Sequence, residues 1–282
     1  MYGPEILTRF LSTPGAPDKY GNAWQYHPRS DRHSKVGCWG IALDLLNTSS
    51  LLRSHAADGK VVLGVNHQMV DHSTSRSKYL DLVIARPRGQ EAPGAESFRT
   101  LIERYGIRLT EFEMSLVEAL PDVPVAPVGA VLVALEAKAA MTAHIKALPR
   151  LYDELNSAHQ AIHGASKQAL AIAYVQINAA EVYASPTNNL FNLNERPIQL
   201  TAHPQPKSVV RVLDKVRELP RRSSTRDNGY DGIGVTVVDF ENRGGPVELV
   251  TSPPAPAAGD PFEYSQMITR MANEYDATFS KI

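Results

Sequence analysis

The chain is poor in cysteine. Its 282 residues include one, Cys38, so no internal disulfide can form. Such thiol poverty favours a reducing compartment. Long hydrophobic runs are also missing: no window approaches the roughly 20 apolar residues a membrane-spanning helix needs. The opening stretch, MYGPEILTRFLSTPG, lacks the basic start and apolar run of a secretory signal. A cytoplasmic protein without membrane association is therefore expected. Neither sign of charge dominates, because 29 Lys and Arg face 30 Asp and Glu for a formal net charge of −1. The chain as a whole does not advertise a polyanion partner. The patterns GxGxxG, GxxxxGK followed by Ser or Thr, GxSxG and CxxC are all absent, which leaves nucleotide-fuelled, hydrolase-elbow and zinc-ribbon chemistries without support.

What is present suits a globular protein with a sizeable core, at 43% hydrophobic and 21% charged residues. Basic residues gather locally: Arg29, Arg32, His33 and Lys35; Arg76 and Lys78; Arg86 and Arg88; Lys138, Lys146 and Arg150; Arg221, Arg222 and Arg226. Each group is compatible with phosphate contacts and equally with a solvated surface.

Residues 1–34 read as irregular. Apolar spacing predicts helices over 35–52, 97–105, 109–120, 141–163, 209–219 and 264–279, the fourth with Pro149 near its first turns as a kink or a later start. Runs of β-branched and apolar residues predict strands over 60–65, 79–85, 129–137 and 169–178, and a pair over 232–240 and 247–251. The stretch 66–72 joins the first two strands close to Asp81, and its composition suits a metal or DNA contact and equally a polar loop. This order describes a mixed α/β core rather than a regular βαβ series.

Asp81 falls inside one apolar strand, where an unpaired carboxylate is costly unless it sits at an open strand end or binds something. Glu136 and Lys138 pose the same problem in another. Alternation along a strand puts these two on one face. An acid plus an acid–x–Lys on a neighbouring strand suits metal-dependent phosphodiester hydrolysis. Two carboxylates offer the oxygen ligands Mg²⁺ prefers. The metal then polarises phosphate and acidifies water, and the lysine orients that water and neutralises developing charge.

With Asp81 in YLDLVIA and Glu136-Ala137-Lys138 in VALEAKAAMTAH, the chain resembles the PD-(D/E)XK nuclease superfamily, restriction-endonuclease-like proteins in particular. The likeness spans about 35–178, with 230–251 as further strands of the same sheet. Leu80 stands where that pattern has proline, and the long gap from Asp81 to Glu136 is read as a helical insertion over about 88–128. The resemblance implies an α/β, restriction-endonuclease-like core, a central mixed β-sheet flanked by helices, in a single elaborated domain over 1–282. It implies Mg²⁺, with Mn²⁺ able to substitute, held by Asp81 and Glu136, with Lys138 serving the attacking water. It also implies a type II restriction endonuclease that cuts double-stranded DNA, acting as a homodimer without a nucleotide cofactor. A structure-specific repair or recombination nuclease, and a non-catalytic DNA-binding protein on the same fold, are the other readings.

Family members often add an acid from a preceding helix, for which Asp44 is the candidate; a capping or solvated Asp is the alternative. The helix after Lys138 is expected to flank the cleft, so His144, Lys146 and Arg150 become possible DNA-contacting residues, the last two sharing a face at i, i+4. His159 and His163 have that spacing too, which suits either a transition metal or ordinary surface or core histidines. The run Trp24 to Lys35 mixes aromatic and basic residues, as a nucleic-acid-contacting arm or an ordinary ordered tail would.

Overall fold

The strand-forming runs assemble into one sheet. The computed structural model describes residues 1–71, 74–89, 96–224 and 227–282. Within them β1 (Val62–Asp71), β2 (Arg76–Pro87), β3 (Val128–Ala140), β4 (Leu170–Asn178), β7 (Gly232–Asp239) and β8 (Glu248–Val250) lie side by side in that order, while β5 (Val182–Tyr183) and β6 (Thr201–Ala202) pair separately. The three middle strands β3, β4 and β7 run parallel; β1, β2 and β8 are antiparallel to their neighbours. β4 is buried at every position, as expected of a strand covered on both faces.

Helices cover each side. On one face α1 (Gly3–Leu11), α2 (Arg32–Thr48), α3 (Ser50–Ala57), α4 (Thr100–Tyr105), α5 (Glu111–Ala119) and α8 (Tyr264–Thr278) bury residues such as Leu7, Trp39, Leu101 and Met267 against Ile84, Leu135 and Tyr174. On the other, α6 (His144–Ala165) and α7 (Lys207–Arg217) bury Leu151, Leu155, Val209 and Val212 against Val83, Ala134 and Val175. The architecture is therefore α/β, a mixed sheet flanked by helices. No helix among the described residues is long and apolar enough to cross a membrane.

Several boundaries differ from the sequence reading, for physical reasons. The first 34 residues are not wholly irregular: Ile6, Leu7, Phe10 and Leu11 form the buried stripe of α1. The helix expected over 35–52 is two, broken at Ser49, whose hydroxyl accepts from Leu52 N–H and caps α3. Residues 66–71 are not a loop; they prolong β1, paired with β2 from His67 to Asp71, and their polarity reflects an exposed edge strand. His72 and Arg226 lie outside the described residues. The insertion between β2 and β3 holds α4 and α5, the latter started by a reciprocal Thr110–Glu113 capping box. α6 runs through Pro149 without ending; the proline lies near its exposed start, where losing one hydrogen bond is tolerated.

α1 crosses α2 at backbone contact. A Cβ on Gly40 would come within 2.8 Å of Gly3 Cα, so only glycine fits there. Gly40→Val should force these helices apart and lower stability by about 1–3 kcal/mol. Urea unfolding would show this as a reduced midpoint, and an unchanged midpoint would contradict the packing described.

Candidate active site

The site begins where two strands part. β2 and β3 pair from Pro87–Val128 to Leu82–Leu135, and there their ladder ends. Beyond that point β2 continues to Arg76 on its pairing with β1, and β3 continues to Ala140 on its pairing with β4. The register carried one step past Leu82–Leu135 brings Asp81 beside Glu136. In place of a ladder bond, the Ala137 N–H donates to Asp81 Oδ2 at 2.9 Å. On the far side of β2, Asn66 falls opposite Asp81 and takes a left-handed φ of +49°, which Asn tolerates better than most residues. Both flanks of β2 are thus irregular at its acid.

Glu136 is 2% exposed, and its Oε1 receives Lys138 Nζ at 2.9 Å and Lys78 Nζ at 3.5 Å. Its Oε2 is buried without a hydrogen-bond partner. Alternation along β3 turns Glu136 and Lys138 toward α6, where Lys138 Nζ also meets Glu154 Oε2 at 2.9 Å. Glu154 in turn accepts from Arg150 Nε at 2.6 Å, and its backbone carbonyl accepts from Lys78 Nζ at 2.9 Å. Two carboxylates and three cations are therefore laced through Lys138 and Glu154, with Asp81 alongside.

Electrostatics follow from this crowding. Burial first, and the Glu136 charge second, push the Asp81 carboxyl up to about 7. Burial works against the Lys138 ammonium, but Glu136 and Glu154 outweigh it and hold the group above its ordinary value. Lys138 is thus a lasting cation, suited to neutralising charge and aiming a water rather than taking a proton. Burial drives His33, at the start of α2, down to about 4.

The two carboxylates fit a hard divalent cation. Glu136 Oε2 is buried without a hydrogen-bond partner among the described residues, and a buried bare carboxylate oxygen is costly. Among the described residues no group of three or more His, Cys, Asp or Glu gathers as a metal site. A two-carboxylate site accords with Mg²⁺, which keeps several waters and shares substrate phosphates.

The structure brings Asp81, Glu136 and Lys138 together, joined by Arg150. It places the other candidates elsewhere. Asp44 is fully buried and accepts from the N–H groups of Tyr2 and Gly3 and from the Tyr264 hydroxyl. It is a capping residue at the start of α1, not a further acid of the cluster. His144 is buried too: its Nε2 meets the Asn178 carbonyl at 2.8 Å and its ring packs on His203. Lys146 lies exposed two turns before Glu154. His159 and His163 are core histidines with separate partners, Asn156 Oδ1 and the Gly229 carbonyl. Trp24 and Tyr26 are buried rather than displayed on an arm. Arg222 is buried in a bond to Asp231.

Sequence reasoning missed Lys78 and Glu154 as members of the site. Glu154 stands i, i+4 from Arg150 and Lys78 three residues before Asp81, but neither spacing marks the residue out from solvated neighbours. Asp31, just before α2, was missed as well; it adds to the rise at Asp81. No protein-family model, no curated protein and no solved structure matches this chain.

Asp81 gives a stability test. Its folded-state carboxyl titrates near 7 against an ordinary 3.8, so its contribution to stability is full at low pH and is lost as pH rises through 7. In EDTA, Asp81→Asn should melt a few degrees above the wild type at about pH 8, with the gap closing near pH 4. An equal gap at both pH values would count against the assigned environment.

Proposed function

We propose that this chain is a metal-dependent endodeoxyribonuclease of the PD-(D/E)XK type, and that its substrate is double-stranded DNA cut in the manner of a type II restriction endonuclease. One observation carries the reading: Asp81 and Glu136 meet across the point where β2 and β3 part, with Lys138 on the same face as Glu136. The order of the core supports it further. A central mixed sheet flanked by helices is what the resemblance leads one to expect.

In this reading the carboxylates of Asp81 and Glu136 would hold the cation. Mg²⁺ bound there supplies Lewis acidity toward a phosphoryl oxygen and lowers the pKa of a coordinated water. Lys138, kept charged by Glu136 and Glu154, faces the scissile phosphate and offsets the charge that builds as the water oxygen bonds to phosphorus and the P–O ester bond breaks. The attacking water gives up one proton to solvent and the departing oxygen takes one from it, so the step balances. Glu154 acts through Lys138 and is a positioning residue. Cutting both strands requires two such sites, which a homodimer would provide.

Incubating the protein with plasmid and phage DNA tests the reading. Defined fragments with Mg²⁺ and none with EDTA are expected; selective cutting of branched or damaged DNA would point to repair instead. Lys138→Ala should cut at least about 100-fold more slowly while binding DNA as before. Equal cutting by wild type and variant would sink the assignment.

Acidity gives a separate check. Asp81 must surrender its proton to bind metal, so the Mg²⁺ concentration for half-maximal cutting should fall as pH rises toward about 7. A requirement independent of pH between about 5.5 and 8 would contradict Asp81 as a ligand.

A further inference from the structure

A second cleft, about 470 Å³ in volume, lies between the start of α6 and the β5–β6 pair. Hydroxyls of Thr142, Ser185, Thr187 and Thr201, the Asn188 amide and the Lys146 ammonium line it, and no carboxylate does. With Lys146 as its charged side chain and no carboxylate, that lining favours an oxyanion over a cation. Lys146 is exposed and meets no carboxylate within ion-pair distance among the described residues.

Two further features point the same way. Ala143, the N-cap of the 22-residue α6, has no side chain to accept from the first-turn N–H groups, so the positive end of the helix is uncompensated. His144 borders the cleft, is 2% exposed, and has an Nδ1 without any hydrogen-bond partner. Its Nε2–H is engaged by the Asn178 carbonyl, and burial keeps the ring neutral by lowering it to about 4. Nδ1 is therefore an acceptor at the edge of the cleft, a buried polar atom that the protein itself does not satisfy.

Position ties the cleft to the carboxylates. Lys146, Arg150 and Glu154 succeed one another every four residues along α6, in one stripe that ends on Lys138. At 1.5 Å per residue, Lys146 stands about 12 Å from Glu154 along the helix. A DNA strand advances roughly 3.4 Å per nucleotide, so one lying over Asp81 and Glu136 reaches the cleft within about three or four nucleotides.

We propose that this cleft binds a phosphate group of the substrate's sugar–phosphate backbone, a few nucleotides from the bond that is cut. The inference rests on the nuclease reading and adds a backbone subsite to it.

Its test is binding in EDTA, where nothing is cut. A fluorescent duplex is titrated at several salt concentrations against wild type, Lys146→Ala and Thr187→Val, with circular dichroism to verify folding. Lys146→Ala should weaken binding about threefold to tenfold and reduce the slope of log K against log salt by about 1. Thr187→Val should weaken it less, without changing the slope. Alongside, inorganic phosphate should shift the His144 and His203 ring resonances of the wild type, and not those of Lys146→Ala. If both variants bind DNA with wild-type affinity and slope while the wild type cuts, this inference falls and the nuclease reading stands. If the wild type binds phosphate but no duplex, the backbone assignment falls together with the nuclease reading, and the cleft is a site for free phosphate.

Discussion

Seating two carboxylates side by side in an apolar sheet is the constraint around which this molecule is arranged. Asp81 could not persist there as an ordinary surface acid, because burial and the neighbouring Glu136 charge both oppose its ionisation. The fold answers with partners of different kinds. Asp81 receives a backbone N–H freed by the ending of the β2–β3 ladder. Glu136 receives two ammonium groups. Lys138 and Lys78 are then held by Glu154 from α6. Removing any one of these partners would leave an unmatched group in a dry place, which is why the set behaves as a unit.

The layered packing supplies the rigidity this arrangement needs. β3 is clamped by β2 along its first half and by β4 along its second. α6, which brings Glu154, is fixed on the sheet by Leu151, Leu155 and Ile162. Asp44 contributes at a distance, joining α1 and α8 to α2 through the Tyr2, Gly3 and Tyr264 bonds. α2 in turn lies over Ala137, the residue between Glu136 and Lys138.

Much of this was legible in the residues. Glu136 and Lys138 stood out because strand alternation fixes their shared face and because charges are rare inside such apolar runs. The mixed sheet and its flanking helices followed from the order of those runs. The adjacency of Asp81 to Glu136 was not legible, since some forty residues, including α4 and α5, separate two strands that only tertiary pairing unites. Lys78 and Glu154 are polar residues on exposed-looking stretches, and nothing local distinguishes them from solvated neighbours. α1 was hidden by the Pro and Gly around it. The last six residues of β1 were hidden by an edge strand's need for polar side chains.

The parting of β2 from β3 also bears on the charge of the cleft it opens. Three cations, Lys78, Lys138 and Arg150, stand against three carboxylates, Asp81, Glu136 and Glu154, and Asp81 is partly protonated near neutrality. The cleft is therefore close to electroneutral. Under the nuclease reading proposed above, a polyanion approaching it would meet no acidic barrier.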